Sequence, residues 1–82
     1  MSVRERLVVK FALRCGEHRF MLRDVMADVG MGEKSVRLLL KNLVEGEWLI
    51  AEETVKGKAE RVRYYRFNHK VWREISGYSF RA

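Results

Sequence analysis

The sequence predicts an α+β fold, mostly helical, built as one domain over residues 1–82. Three observations predict it. Apolar residues recur at helical spacing over 2–15, 22–29 and from Glu33 into the forties. Two runs of alternating residues flank Lys56-Gly57-Lys58, the pattern of a two-stranded hairpin over about 48–67. Proline is absent, so nothing interrupts these elements, and the connections are short. A short last helix and tail, about 68–82, complete the order.

The first helix, 2–15, repeats Val3, Leu7, Phe11 and Cys15 every four residues, with Val8 and Ala12 widening that face. Val9 and Leu13 lie roughly opposite. A helix apolar on two sides is either enclosed by its own domain or shared with a second chain. Gly16 ends it as a C-terminal cap, and Arg19–Met21 reads as a short extended segment.

The stretch Phe20–Leu49 organises the chain. Leu22, Val25, Met26 and Val29 form the inward face of its first helix, and Asp24 and Asp28 sit outside beside Arg23. Glycines at 30 and 32 permit the sharp turn that follows. In the next helix Val36, Leu39, Leu40, Leu43 and Val44 fall at i, i+3, i+4, i+7 and i+8, one buried stripe. Lys34, Arg37, Leu38 and Lys41 form the opposite stripe, mostly basic. This is the shape of a helix-turn-helix with its presented helix second.

The strand that follows starts at Trp48-Leu49-Ile50 and runs to about Val55. Its partner runs from about Glu60 to Phe67, with Arg61, Arg63, Tyr65 and Phe67 on one face and Val62, Tyr64 and Arg66 on the other. Tyr65 and Phe67 are expected in the core, and the arginines near the turn in solvent. Asn68 is a good N-cap for the last helix, whose Val71, Trp72 and Ile75 share a face. The tail adds Tyr78 and Phe80.

Charge narrows the function classes. The net charge is +6, but residues 21–53 balance at −3 and residues 54–82 at +6. The basic excess is concentrated in and after the hairpin, which favours a polyanionic partner. The single cysteine, Cys15, excludes an internal disulfide framework and suits a reducing cytoplasm. There is no apolar run long enough to span a membrane. The first twenty residues carry charges within their apolar stretch and read as no secretory signal.

Several patterns resemble reactive sites without meeting their requirements. GMGEKS lacks the glycine directly before Lys-Ser that a phosphate-binding loop needs, and a helix precedes it instead of a strand. Cys15 and His18 supply two ligands where structural zinc wants four. The pairs Asp24/Asp28 and Glu52/Glu53 have no nucleophile or metal ligands around them. The sequence therefore reads as a non-enzyme, with no cofactor and no small-molecule ligand evident.

The segment FMLRDVMADVGMGEKSVRLLLKNLVEGEWLIAEE, followed by VKGKAERVRYYRF, resembles the winged helix-turn-helix superfamily of DNA-binding domains. Gly30, Met31, Gly32, Glu33–Ser35, Val36 and Leu39 fall close to that family's turn and recognition-helix pattern. Its usual glycine-Leu-Ile exit becomes Trp48-Leu49-Ile50, with the glycine moved to Gly46. The resemblance covers about residues 3–75. It implies a winged helix: a three-helix core, a two-stranded wing and a short C-terminal helix. It also implies groove-facing residues Glu33, Lys34, Ser35, Arg37, Leu38 and Lys41, and wing contacts Lys56, Lys58, Arg61 and Arg63. The expected function is sequence-specific binding of double-stranded DNA, with transcription regulation by site occupancy, in the cytoplasm or on the nucleoid. Leu38 and the acidic balance of 21–53 suit a rival reading, a protein-interaction module in a transcription or replication assembly. A third reading has Tyr64 and the wing arginines stack single-stranded nucleic acid. A homodimer is expected through Val9 and Leu13 with Trp72, Tyr78 and Phe80. The competing arrangement folds the last helix and tail over Val9 and Leu13 within one chain.

Overall fold

The computed structural model describes residues 1–57 and 60–70, with Lys56 and Glu60 described in their backbone alone. Lys58 lies outside the described residues, as does most of the expected last helix and tail, including Val71, Trp72, Ile75, Tyr78 and Phe80. Three helices are followed by an antiparallel pair of strands. They are α1 (Val3–Cys15), α2 (Leu22–Val29), α3 (Glu33–Glu45), β1 (Leu49–Lys56) and β2 (Glu60–Phe67).

Local chemistry starts and stops each helix. Ser2 caps α1: its hydroxyl accepts from the Glu5 amide at 3.1 Å, and the Glu5 carboxylate accepts from the Ser2 amide at 2.8 Å. Asp24 caps α2 by accepting from the Met21 amide at 2.8 Å. Gly30 ends α2 in the left-handed region, φ 69°, and its amide bonds the Met26 carbonyl. The turn into α3 then needs only Met31 and Gly32.

Helix α3 ends at Glu45, earlier than its apolar run suggests. The amides of Gly46, Glu47 and Trp48 return to the carbonyls of Asn42, Val44 and Leu43 and close the helix. The left-handed residue at this exit is Glu47, φ 65°, whereas Gly46 has φ −83°. The glycine stands one position before the place where its freedom would relieve strain.

The strands pair in the register Leu49↔Phe67, Ala51↔Tyr65, Glu53↔Arg63, Val55↔Arg61, with the expected alternation of faces. Leu49, Tyr65 and Phe67 are buried, while Arg61 and Arg63 are exposed. The short extended segment before α2 joins the sheet at a single point. Phe20 and Tyr65 exchange both backbone hydrogen bonds, at 2.9 and 2.8 Å. The Phe20 ring meets Phe11 edge-on at 5.1 Å and lies near-parallel to Tyr65 at 6.2 Å, so one aromatic row ties α1 to β2.

The core is Val8, Val9, Ala12, Phe20, Val25, Val36, Leu40, Leu43, Leu49, Tyr65 and Phe67. Two expectations for α1 are corrected here. Its inward face is Val8, Val9 and Ala12, while Val3 is 72% exposed and Leu7 43% exposed. Val9, expected at a dimer interface, is 7% exposed within its own chain's core, and Leu13 packs against that core. Asn68 stands directly before the helical residues 69–70, as its expected capping position requires; its side-chain amide donates to the Glu47 carbonyl at 2.9 Å, and its backbone amide donates to the Trp48 carbonyl. It staples the end of β2 to the exit of α3.

Two stability predictions follow from this arrangement. Val9→Glu should unfold the domain, since it places a charge among apolar side chains, whereas Leu7→Glu should leave folding intact; circular dichroism on both variants checks this. Glu47→Gly should stabilise by about 0.5–1 kcal/mol, the left-handed penalty less the entropy of the added glycine. Urea denaturation measures it, and an unchanged midpoint would mean Glu47 carries no strain.

Candidate nucleic-acid interface

The exposed stripe of α3 and the inner face of the hairpin face each other across a groove. Lys34, Arg37, Leu38 and Lys41 project from one side, with Val44 and Glu45 continuing the same stripe. Ala51, Arg63 and Tyr65 form the other side, and the hollow between them measures about 550 Å³. Arg37 and Arg63 also bound a second hollow of about 490 Å³, toward the start of α2. There Arg23 and Arg61 join them, above Leu22 and Val62. The two hollows share the Arg37–Arg63 partition and form one basic surface from Lys41 to Arg23.

Of the groove-facing residues expected from sequence, Lys34, Arg37, Leu38 and Lys41 come together here with Arg61 and Arg63. Glu33 lines neither hollow, but its carboxylate accepts from the Arg37 guanidinium one turn on. Ser35 is exposed and lines neither. The Lys56 side chain and Lys58 lie outside the described residues. Sequence reasoning missed Arg23 and Tyr65. Arg23 stands beside Asp24 on α2, so its charge does not stand out in the sequence. Tyr65 is in the core as its strand face predicts, and it also lines the groove.

The electrostatics follow from who holds whom. Arg63 donates to Glu53 at 3.4 Å. Its neighbours Tyr65, first, and Glu53 push its guanidinium further above its ordinary value. Arg37 is held by Glu33. Arg23, Lys34, Lys41 and Arg61 have no carboxylate partner among the described residues. Six cations therefore stand against three carboxylates, Glu33, Glu45 and Glu53. The surplus is positive, a local potential that favours anions at this face.

Several charged and aromatic groups outside this surface are engaged with one another. Arg14 binds Asp28 at 2.8 Å, and Arg66 binds Glu52 at 3.4 Å. With Asp24 capping α2 and Glu53 holding Arg63, each acid of the two candidate carboxylate pairs has a structural partner. Arg19 sits over the Tyr64 ring, 4.3 Å from its centre, and occupies a face that a stacked base would need. The His69 ring lies 3.2 Å from the Gly16 carbonyl through Nε2 and edge-on to Phe67, and no group of three or more potential metal ligands forms among the described residues.

Neither a protein-family model nor a curated protein matches the chain. No described helix is long and apolar enough to cross a membrane.

Cys15 is half-buried at the end of α1. Burial raises its thiol pKa, and Asp24 and Asp28 add to this against the opposing pull of Arg14. A raised pKa means less thiolate at a given pH, and thiolate is the reactive form. Alkylation by iodoacetamide at pH 8 should run several-fold slower on the folded protein than in urea. Equal rates would show an open, unperturbed thiol.

Proposed function

We propose that this chain is a winged-helix protein that binds double-stranded DNA and regulates transcription by occupying its site, without a catalytic step. The observation that carries the reading is the shared groove: the outward stripe of α3 and the inner face of the hairpin converge on one positively charged surface. A major groove about 12 Å wide accepts a helix. α3 would enter by its N-terminal half, with Lys34, Arg37 and Lys41 reaching base edges and phosphates and Ser35 as a small polar contact. The hairpin would act as the wing, placing Lys56, Lys58, Arg61 and Arg63 along the adjacent backbone. Arg23 extends the phosphate-binding side. The acid-held arginines and the free lysines divide the work: Glu33 keeps Arg37 oriented, and the unpaired cations supply sequence-independent attraction.

The same reading includes a homodimer on paired half-sites. Val9 is core, so the surface of α1 left for pairing is the exposed Val3 and Leu7. The rival, an interaction module without DNA, draws on the 57% exposure of Leu38 amid the cations.

Selection of bound sequences from a random duplex pool tests the whole reading, and an inverted repeat among the winners would mark two-fold binding. Arg37→Ala and Lys34→Ala should each weaken the selected site by about 1–3 kcal/mol if they make bidentate base contacts. Arg61→Ala should weaken all sequences alike and lower the salt slope by about one. Binding that is absent, or that lacks a steep salt dependence, would favour the interaction module.

A further inference from the structure

The groove between α3 and the hairpin offers apolar surface that phosphate cannot use. The strand register makes it. On the face turned toward the helices, Leu49↔Phe67 and Ala51↔Tyr65 are followed by Glu53↔Arg63. The first pair is fully packed. In the second, Tyr65 is 6% exposed while Ala51 presents only a methyl group. The third pair is charged and stays in solvent. The hairpin therefore parts from α3 at Ala51, and a hollow of about 550 Å³ opens, within the roughly 300–1,000 Å³ typical of small-molecule sites. Its floor is Tyr65, Val44 and Ala51, and Leu38 stands exposed at its edge.

The rim is cationic. Lys34, Arg37, Lys41 and Arg63 line it against one carboxylate, Glu45. Arg37 and Arg63 are held by Glu33 and Glu53, which leaves Lys34 and Lys41 as the rim charges without an acid partner among the described residues. An apolar floor under unpaired ammonium groups matches one ligand chemistry: an apolar body ending in an anion.

We infer that this groove is a binding site for a small amphipathic carboxylate, its body against Leu38, Val44, Ala51 and Tyr65 and its carboxylate at Lys34 and Lys41. Burial of the exposed Leu38 drives binding, and the lysines select the anion over the corresponding alcohol. Lys34, Arg37 and Lys41 are also the proposed DNA contacts, so ligand and duplex compete. That competition rests on the proposed DNA-binding function; the site itself does not.

The test is a titration of the full chain with octanoate, followed through methyl NMR signals, with 1-octanol and acetate as controls. Octanoate should saturably shift the Leu38, Val44 and Ala51 methyls, at least tenfold more tightly than either control. Ala51→Phe, which fills the floor from the strand side, should weaken octanoate at least tenfold while its spectrum stays that of a folded protein. Lys34→Ala with Lys41→Ala should do the same. Equal binding of octanol would reduce the site to an apolar patch, and equal binding of acetate to a charged one. Either result overturns the inference, as do shifts centred on Val3 and Leu7, shifts indifferent to Ala51→Phe, or no shift at millimolar octanoate. A second arm adds octanoate to the protein on its selected duplex. Release supports competition, and retention with the groove occupied refutes it. If no duplex binds at all, the DNA-binding proposal fails while the titration still decides the site.

Discussion

Two hydrogen bonds between Phe20 and Tyr65 join the helical half to the hairpin, beside the packing of Leu49, Tyr65 and Phe67 in the shared core. A two-stranded hairpin alone is marginal in water and needs a surface to pack on. Here the backbone of Tyr65 is bonded on one side to Phe20, and its ring is pressed into the core beside Phe20 and Phe11. Because Tyr65 spends both its backbone groups on Phe20, its pairing with Ala51 is the non-hydrogen-bonded kind. Everything toward the turn inherits its direction from that residue. Arg63 and Arg61 lie two and four residues along the strand on the same face, where they stay exposed and line the hollow toward the start of α2.

The acids of this chain act as placeholders for its bases. Exposed ion pairs contribute little to stability. Arg37–Glu33, Arg63–Glu53, Arg66–Glu52 and Arg14–Asp28 matter more for where each guanidinium stands. The lysines of the same face have no such restraint among the described residues. One surface thus combines fixed planar donors with mobile point charges, and the two kinds of cation suit different parts of an anionic partner.

Much of the fold was legible in the sequence because its signals were unambiguous. The stripe Val36–Leu40–Leu43 has a polar opposite face, so its inward side could be only one. Gly57 between two alternating runs fixed the hairpin, and alternation fixed which side of β2 held Tyr65 and Phe67. α1 was misread because it is apolar nearly all round. Val3, Leu7 and Phe11 make as good a row as Val8, Val9 and Ala12, and the choice between them depends on the placement of α2 and α3, which no local pattern encodes. The basic stripe of α3 was visible by periodicity. The contributions of Arg23 and of the apolar floor were not: Leu38, Ala51 and Tyr65 are distant in the chain and meet only through strand register and the Phe20 anchor. The role of Glu33 was also hidden, because a lone acid at a helix start reads as a departure from a basic pattern until its partner, Arg37, is seen beside it.

The Phe20 bridge takes up one side of β2, and β1 takes up the other, which leaves the outer side of β1 unpaired among the described residues. An unpaired strand of eight residues invites a neighbouring molecule to continue the sheet. The sequence LIAEETVK sets two adjacent glutamates at the middle of that edge, one on each face. Each is bonded to an arginine of β2, so a second copy arriving edge to edge meets a charged pair on either face and has to desolvate it. Glu52 and Glu53, which orient arginines within the molecule, thus also set charge at the middle of its open border, so that edge chemistry and site geometry draw on the same two side chains.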